Sequence, residues 1–380
     1  MNRVLTISRT SPQIKSGSGF IMNQFINFFD SKEMFFLSED NPEITINNHR
    51  IHYTSSFFIK LERGNRFFGW HRWLLIPRLI KDIKQIAKEQ KCNSILCVFP
   101  DEIYLISAFF AAKKLKLPLY PYFHNLYYEN KKGISKIIAG HIQKKIFSYS
   151  SFIYIVSDGM LEELSILYPK VNFRVLTHSL PDNRKAISCY KTNLNQNNEI
   201  ILTFLGNINN SNIDSLKYLI NIFEKENNMV INLITRTSNN FLLKMDLLKT
   251  NVVVKNNIED KDILNELNQS NFLLLPHGLS GSLSKEEYRS VFPTKTIQYL
   301  QSNSPILSLL PCDSYLYKFL TENQCAFCIT EKKEVQITSV IKNLQHNKPL
   351  IFKTVENANK TAKKFSTNNV LVRIKDEILY

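Results

Sequence analysis

No window of the 380-residue sequence holds the roughly 18 uninterrupted apolar residues that a membrane-spanning helix needs. Met1 to Asp30 also lacks the basic start, apolar centre and small-residue cleavage site of a secretory signal. A cytoplasmic protein is therefore expected, with the inner face of the cell membrane as the other station its charge allows. Cysteine is sparse. The six, at positions 92, 97, 189, 312, 325 and 328, are scattered and several sit in apolar runs, which favours reduced, buried thiols over a disulfide framework. Cys325-Ala-Phe-Cys328 has redox or zinc spacing, but a lone pair inside a strand-like segment reads as structural, so no metal site is expected. No short internal repeat is visible.

Acid is also in deficit. Asp and Glu number 33 against 48 Lys and Arg, a formal charge of +15 that favours nucleotides, phosphates, anionic lipid headgroups or nucleic acid as partners. Much of the excess lies in Lys81 to Lys91, Lys113 to Lys116, Lys131 to Lys145 and the C-terminal tail. Solvated helix faces look the same in sequence, so peripheral contact with an anionic membrane stands beside that plainer reading. Nucleic acid is not expected, because the basic positions are scattered and the fold pattern is wrong for it.

What is present is enough apolar material, 44% of residues with 12% aromatic, to exclude a disordered chain. At roughly 150 residues per domain the length suggests two units. Strands and helices alternate through the first half, from Val4 to Ser8 and a Gly17-Ser-Gly19 turn, through the continuous apolar run Ser94 to Phe99, to Pro118–Phe123 and Phe152–Ser157. From Asp182 to Glu199 the pattern lapses into polar, asparagine-rich sequence. It resumes with strands at Ile200–Leu205, Met229–Ile234, Val252–Val254, Phe272–Pro276 and Pro305–Leu309, separated by helical segments. Such alternation predicts parallel sheets covered on both faces. The expected boundaries are 1–185, a linker at 186–199, 200–348, and C-terminal helices at 349–380 that pack back toward the first domain.

In doubly wound folds ligands lie beyond the carboxyl ends of the strands. There stand Ser8 to Gly19, His124-Asn125 and Ser157-Asp158 in the first half, and Gly206-Asn207, Arg236, His277-Gly278 and the segment before Lys295 in the second. Val291 to Leu300 is the most informative stretch. A helix opens near Pro293 with Thr294, Lys295 and Thr296 in its first turn, where unpaired N–H groups and a full positive charge suit a diphosphate. Thr294 as a plain cap and Lys295 as a solvated cation form the structural alternative, although a cation there opposes the helix dipole. Gly17-Ser-Gly19 lacks the third glycine of the dinucleotide fingerprint. His124 could bind a sugar hydroxyl or be a hydrogen-bonded structural histidine, and Arg236 could meet phosphate or be a surface charge. Glu286 and Glu287, close before the helix that opens near Pro293, could touch a bound sugar or be solvated loop carboxylates, and the second is the expectation.

Taken in order, these segments resemble the bacterial group 1 glycosyltransferases of the GT-B fold, and the resemblance covers most of the chain. Its landmarks include Gly17-Ser-Gly19, His124-Asn125 at the family's His-Asp position, Ile155-Val-Ser157, Val175-Leu-Thr-His178, Phe204-Leu-Gly206-Asn207 and Leu273-Leu-Leu-Pro276. The most specific is Phe292-Pro-Thr-Lys295 through Tyr299-Leu300 to Ser304-Pro-Ile306, which is similar to the pattern PxKxxEYLxxGxPI.

The resemblance implies an α/β chain of two Rossmann-like, doubly wound domains facing an interdomain cleft. It also implies transfer of a sugar, with retention in most relatives, from a nucleotide sugar to a glycan or lipid-linked saccharide, without cofactor or metal. Lys295 and His124 would be catalytic. Gly206, Asn207, Arg236, Pro293, Thr294, Thr296 and Gln298 would join Lys295 on the donor side. Gly17, Ser18, Gly19 and Asn125 would line the acceptor side. Two departures stand out: Gln298 replaces an acidic residue, and Asn207, Asn209, Asn210 and Asn212 fill a loop where many members carry Arg and Lys. A non-catalytic glycan-binding or scaffold protein of the same fold, or a nucleotide-sugar epimerase, are the alternatives.

Overall fold

The computed structural model describes residues 2–12, 17–39, 44–54, 69–181, 199–256, 258–278 and 283–380. Of the expected linker only Glu199 lies among them. The chain divides into two compact units, Met1–Pro181 with Ser366–Tyr380, and Asp182–Phe365. The segment expected as one C-terminal group is thus shared: Lys348–Ala362 is a helix of the second unit, whereas Thr367–Ile374 is a helix of the first.

The first unit carries eight strands: β1 (Val4–Ser8), β2 (Met34–Glu39), β3 (Ile44–Ile46), β4 (His49–Thr54), β5 (Ser94–Phe99), β6 (Leu119–Phe123), β7 (Ile153–Ile155) and β8 (Phe173–Val175). Their order is β3-β4-β2-β1-β5-β6-β7-β8, parallel except for the β3–β4 hairpin. That hairpin is absent from the sequence-based expectation. Its turn is Asn47-Asn48, both at positive φ (47° and 66°), a conformation asparagine tolerates and two-residue hairpins require.

Every residue of β5 is buried, as a central parallel strand covered on both faces requires. Helices Ile76–Glu89, Glu102–Leu115, Gly133–Tyr149 and Asp158–Leu167 pack into one core with one side of this sheet. Helix Gly17–Phe28 and the C-terminal Ser366–Tyr380 segment pack into the other. The expected turn at Gly17-Ser-Gly19 is therefore the first turn of a helix. Small residues are accommodated there because first-turn N–H groups lack intrahelical partners anyway.

The second unit has six strands, all parallel: β9 (Ile200–Leu205), β10 (Met229–Ile234), β11 (Val252–Lys255), β12 (Phe272–Pro276), β13 (Ile306–Leu309) and β14 (Phe327–Ile329). Their order is β11-β10-β9-β12-β13-β14. The chain moves outward from β9 to one edge, returns, and moves outward to the other, so the direction of winding reverses between β9 and β12. In the first unit the same reversal falls between β1 and β5. These reversals are where a doubly wound sheet opens a crevice.

Cys325 and Cys328 are structural thiols in this setting. Burial pushes the Cys325 thiol up to about 12, and Cys328 accepts a hydrogen bond from Ser308 at 3.3 Å. Cys92, Cys97 and Cys312 are also free, and Cys189 lies outside the described residues.

Candidate functional site

At the switch point of the second unit, β9 and β12 pair only at Leu202 with Phe272 and Thr203 with Leu273. Past that register the strands part, and a side chain replaces the ladder. The Tyr299 hydroxyl accepts from the Leu205 N–H at 2.8 Å and donates to the Leu274 carbonyl at 3.1 Å. The phenol is fully buried, which pushes its pKa up and keeps it a neutral donor and acceptor. Tyr299 lies on helix Lys295–Gln301, so this one group pins that helix to the diverging strand ends.

Lys295 follows from that anchorage. Its Nζ is buried, has no hydrogen-bond partner among the described residues, and sits 3.8 Å from the centroid of the Phe204 ring at the end of β9. Desolvation lowers its pKa from 10.5 to about 7. The ring face returns part of that cost, since a desolvated cation–π contact is worth about 2 kcal/mol. A buried ammonium with no anion is expensive, and an arriving anion would relieve it. The hydroxyl of Thr296 is also buried without a partner. Thr294 makes no side-chain capping bond, so the plain cap reading does not hold for it. The helix is only seven residues long, so Lys295 itself rather than a long helix dipole carries the positive potential.

The structure brings Gly206 and Lys295 together. Gly206 has φ of +109°, and a Cβ added there would lie 3.5 Å from Lys295 Cε and 3.7 Å from Nζ. Those are ordinary contacts, so the backbone angle is what demands glycine. Gly206→Ala is expected to destabilise the second unit by about 1–3 kcal/mol through backbone strain, and to place a methyl group beside the ammonium. Thermal unfolding and nucleotide titration of that variant would check both effects. A variant with wild-type stability and affinity would refute them.

The asparagine loop after Gly206 is organised by its own side chains. Asn209 Oδ1 accepts from the N–H and hydroxyl of Ser211 at 2.9 and 2.6 Å, Asn212 Oδ1 accepts from Asn209 N–H at 3.1 Å, and Asn212 Nδ2 donates to the Asn207 carbonyl at 3.2 Å. Thr237, after β10, accepts from Ile208 N–H at 3.1 Å. The asparagines thus shape the loop rather than supply charge.

Other donor-side candidates fare differently. Pro293 accepts the Thr296 N–H at 2.9 Å, and Gln298 is half-buried one turn beyond Lys295. Arg236 is exposed and pairs with Asp260 at 3.6 Å. Glu287 is 97% buried, contrary to the expectation of a solvated carboxylate, because Ser284 caps a short helix, Lys285–Ser290, and turns it inward. His277 was named only as a strand-end candidate. Burial, with the Lys295 charge adding, holds its pKa down to about 4 against the opposing hydrogen bond to the Tyr288 carbonyl at 3.1 Å. It is a neutral neighbour of the lysine.

In the first unit His124 directly follows β6, and it is buried. Its ring meets Tyr122 edge-on at 4.2 Å and His178 at 4.9 Å. Burial first, and then His178, keeps its pKa well below the usual imidazole range, and burial holds His178 at about 3. Both are neutral at pH 7. His124 Nε2 and His178 Nδ1 lack hydrogen-bond partners among the described residues. Asn125 is exposed, Ser18 half-buried and Gly19 buried. Ser157 accepts from Met160 N–H at 3.1 Å and caps the helix after β7.

Sequence reasoning missed the charge cluster at the β1–β5 switch point. Arg9 and Arg72 are paired with Glu39 and Asp101 at 2.7–3.5 Å, while Asp101 also caps helix Glu102–Leu115. Burial raises the pKa of Glu39 despite both guanidinium groups. Arg9, Glu39, Arg72 and Asp101 are distant in sequence, and the carboxyl ends of β1, β2 and β5 together with the 3-10 helix Gly69–Leu75 assemble them.

No protein-family model and no curated protein matches the chain in sequence. Its structure is similar, over 99% of this chain and 98% of the other, to sucrose-phosphate synthase from Thermosynechococcus elongatus, at a TM-score of 0.75 and 10% identity. It is similar over 98% of both chains to Anabaena HepE in complex with UDP-glucose, at a TM-score of 0.66 and 11% identity. A trehalose-6-phosphate synthase, studied for glycosyl transfer with retention, matches at a TM-score of 0.66 and 11% identity over 100% of this chain and 99% of that one. At such identities the likeness is one of fold, and it agrees with the strand orders of both sheets: the chain has the GT-B fold of two Rossmann-like units.

Proposed function

We propose that the protein is a glycosyltransferase of the bacterial group 1 kind. It would move a sugar from a nucleotide-sugar donor to a glycan or lipid-linked saccharide in surface polysaccharide biosynthesis, at the inner face of the cell membrane. The observation that carries this reading is the buried Lys295 ammonium, without a hydrogen-bond partner among the described residues, beside Gly206 at the switch point of the second unit. A nucleoside diphosphate is the ligand class whose charge and reach fit it, and HepE, of the same fold, was solved with UDP-glucose.

In this reading the bond between the anomeric carbon and the diphosphate oxygen breaks, and its electron pair leaves with the diphosphate. The acceptor hydroxyl oxygen forms the new bond and its proton passes to a phosphate oxygen. Lys295 stabilises the charge that builds on the departing group, without a metal ion in that role. Thr296 and the backbone at Gly206 and Asn207 complete the donor contacts. Gln298 meets the ribose through neutral hydrogen bonds. His124, neutral at pH 7, hydrogen-bonds a sugar hydroxyl from the acceptor-binding first unit. Retention follows the precedent of the trehalose-6-phosphate synthase fold relative.

The test is a melting series with UDP, GDP and ADP, followed by slow hydrolysis of the matching nucleotide sugars. At a hundred times Kd a ligand adds about 2.7 kcal/mol of stability. No shift with any nucleoside diphosphate would overturn the reading, and a shift without hydrolysis or transfer would leave a binding protein. His124→Ala should lower transfer by about 10- to 100-fold, in line with the loss of one hydrogen-bonding contact in the transition state, with the nucleotide shift unchanged. Loss of that shift would place His124 outside the acceptor side.

A further inference from the structure

Between Ile103 and Ser157 the sequence has eight lysines and one carboxylate. That carboxylate, Glu129, is buried and accepts hydrogen bonds from Gln143 and the Tyr168 hydroxyl. The exposed surface of this stretch therefore carries cations, and the carboxylate that adjoins it, Glu102, is paired with Lys131 at 2.7 Å. At its centre is helix Gly133–Tyr149, whose core-facing side is Ala139, Gln143, Ile146 and Phe147. Its opposite stripe runs Ile134, Ile137, His141, Lys144 and Lys145, all exposed and spaced at helical intervals. Ile134 is 75% exposed and Ile137 69%. Lys132 stands just before the helix. Phe109 and Tyr149 meet edge-on at 5.6 Å, which holds helix Glu102–Leu115, with exposed Phe110, Lys113 and Lys114, beside it.

We infer that this face of the first unit docks on an anionic lipid bilayer, with helix Gly133–Tyr149 lying in the interfacial plane. Ile134 and Ile137 enter the headgroup–acyl boundary, where burial of their side chains is favourable, and Lys132, Lys144 and Lys145 meet lipid phosphates. Two protruding isoleucines within a field of flexible cations suit a fluid anionic surface, which needs no fixed shape. The inference deepens the reading of a lipid-linked acceptor and rests on it for its purpose.

The test is co-sedimentation of the full chain with vesicles of phosphatidylcholine alone and of phosphatidylcholine with phosphatidylglycerol in equal parts, at low and high salt. The protein should sediment only with the anionic vesicles, less so as salt screens the attraction. Lys144→Gln with Lys145→Gln should lower partitioning roughly twenty- to thirtyfold, about 1 kcal/mol per lysine near an anionic surface. Ile134→Ser with Ile137→Ser should lower it at least tenfold and continue to do so at high salt. All four positions are exposed, and unchanged melting temperatures would confirm folding. Equal partitioning of both variants and wild type, no binding to anionic vesicles, or binding to heparin but not to vesicles would each overturn the inference. A UDP melting shift on the same preparation separates the two claims: a shift without vesicle binding defeats the docking surface alone, and vesicle binding without a shift defeats the transferase reading alone.

Discussion

Lys295→Met should sharply reduce nucleotide-dependent stabilisation while leaving the ligand-free protein at least as stable as wild type. Most substitutions at buried sites destabilise. Here the wild-type side chain pays a desolvation cost with no hydrogen-bond partner among the described residues, and methionine fills a similar volume without charge. A hydrogen bond to a charged group contributes about 1.5–3 kcal/mol, so affinity for a nucleoside diphosphate should fall about 10- to 150-fold.

The pH dependence of binding, beside that of stability, supplies a sign that a merely structural lysine would not produce. The folded pKa, about 7, is below the usual lysine value of 10.5. Between those values the unfolded chain holds a proton that the folded protein has released, so stability from this group rises with pH across that window. Below pH 7 both states are charged and the cost is full. The advantage of the methionine variant should therefore be largest below pH 7 and shrink toward pH 10.5. Diphosphate binding favours the ammonium, so wild-type affinity should fall as pH rises above about 7, while the residual affinity of the variant stays flat. Calorimetric titrations from pH 6 to pH 9 would decide it. Equal affinities for wild type and variant, or parallel pH profiles, would remove Lys295 from the site.

Tyr299→Phe should cost about 2–4 kcal/mol of stability in the second unit. The substitution deletes one oxygen and keeps the ring, so packing is preserved. What it leaves is a buried Leu205 N–H and a buried Leu274 carbonyl that cannot pair with each other, because β9 and β12 have already parted. Each unsatisfied buried group costs about 1–3 kcal/mol. Denaturant unfolding should show a lower midpoint with an unchanged slope. Hydrogen exchange at the Leu205 amide should accelerate more than at the β9 amides that remain paired with β10. A loss below about 0.5 kcal/mol would mean that the strand ends re-pair or take up water, and that Tyr299 does not hold the switch point open.

The candidate site was unevenly legible. Gly206 and Lys295 could be named from sequence because each breaks a local rule: a glycine directly after an apolar strand, and a cation in the first turn of a helix. Such conflicts mark places where something other than local stability is served. Tyr299 was visible as part of a motif, but its role was not. Its bridge depends on where two strands, about 70 residues apart in the chain, cease to pair. Glu287 was misread because a charged residue in a polar segment looks solvated until the Ser284 cap fixes its direction. The asparagine loop was legible as a loss of charge, though not as a self-bonded turn. The glycines at 17 and 19 looked like a loop because glycine favours loops, and the helix that contains them is held by burial of Ile21, Met22 and Phe25 in the core.

The sequence by itself determined the class of architecture. Apolar runs of strand length alternating with helical periods admit few solutions other than parallel sheets covered on both faces, since each element must bury its apolar side. It also determined the excess of positive charge and the placing of most candidate residues at strand ends. Only the tertiary structure decided the strand orders, and with them the two switch points. It alone showed that Lys295 is desolvated over Phe204, that Arg9, Glu39, Arg72 and Asp101 meet, and that the isoleucines of Gly133–Tyr149 face outward. The reason is physical. Periodicity reports which face of an element is apolar, whereas burial of a charge depends on neighbours brought from distant parts of the chain.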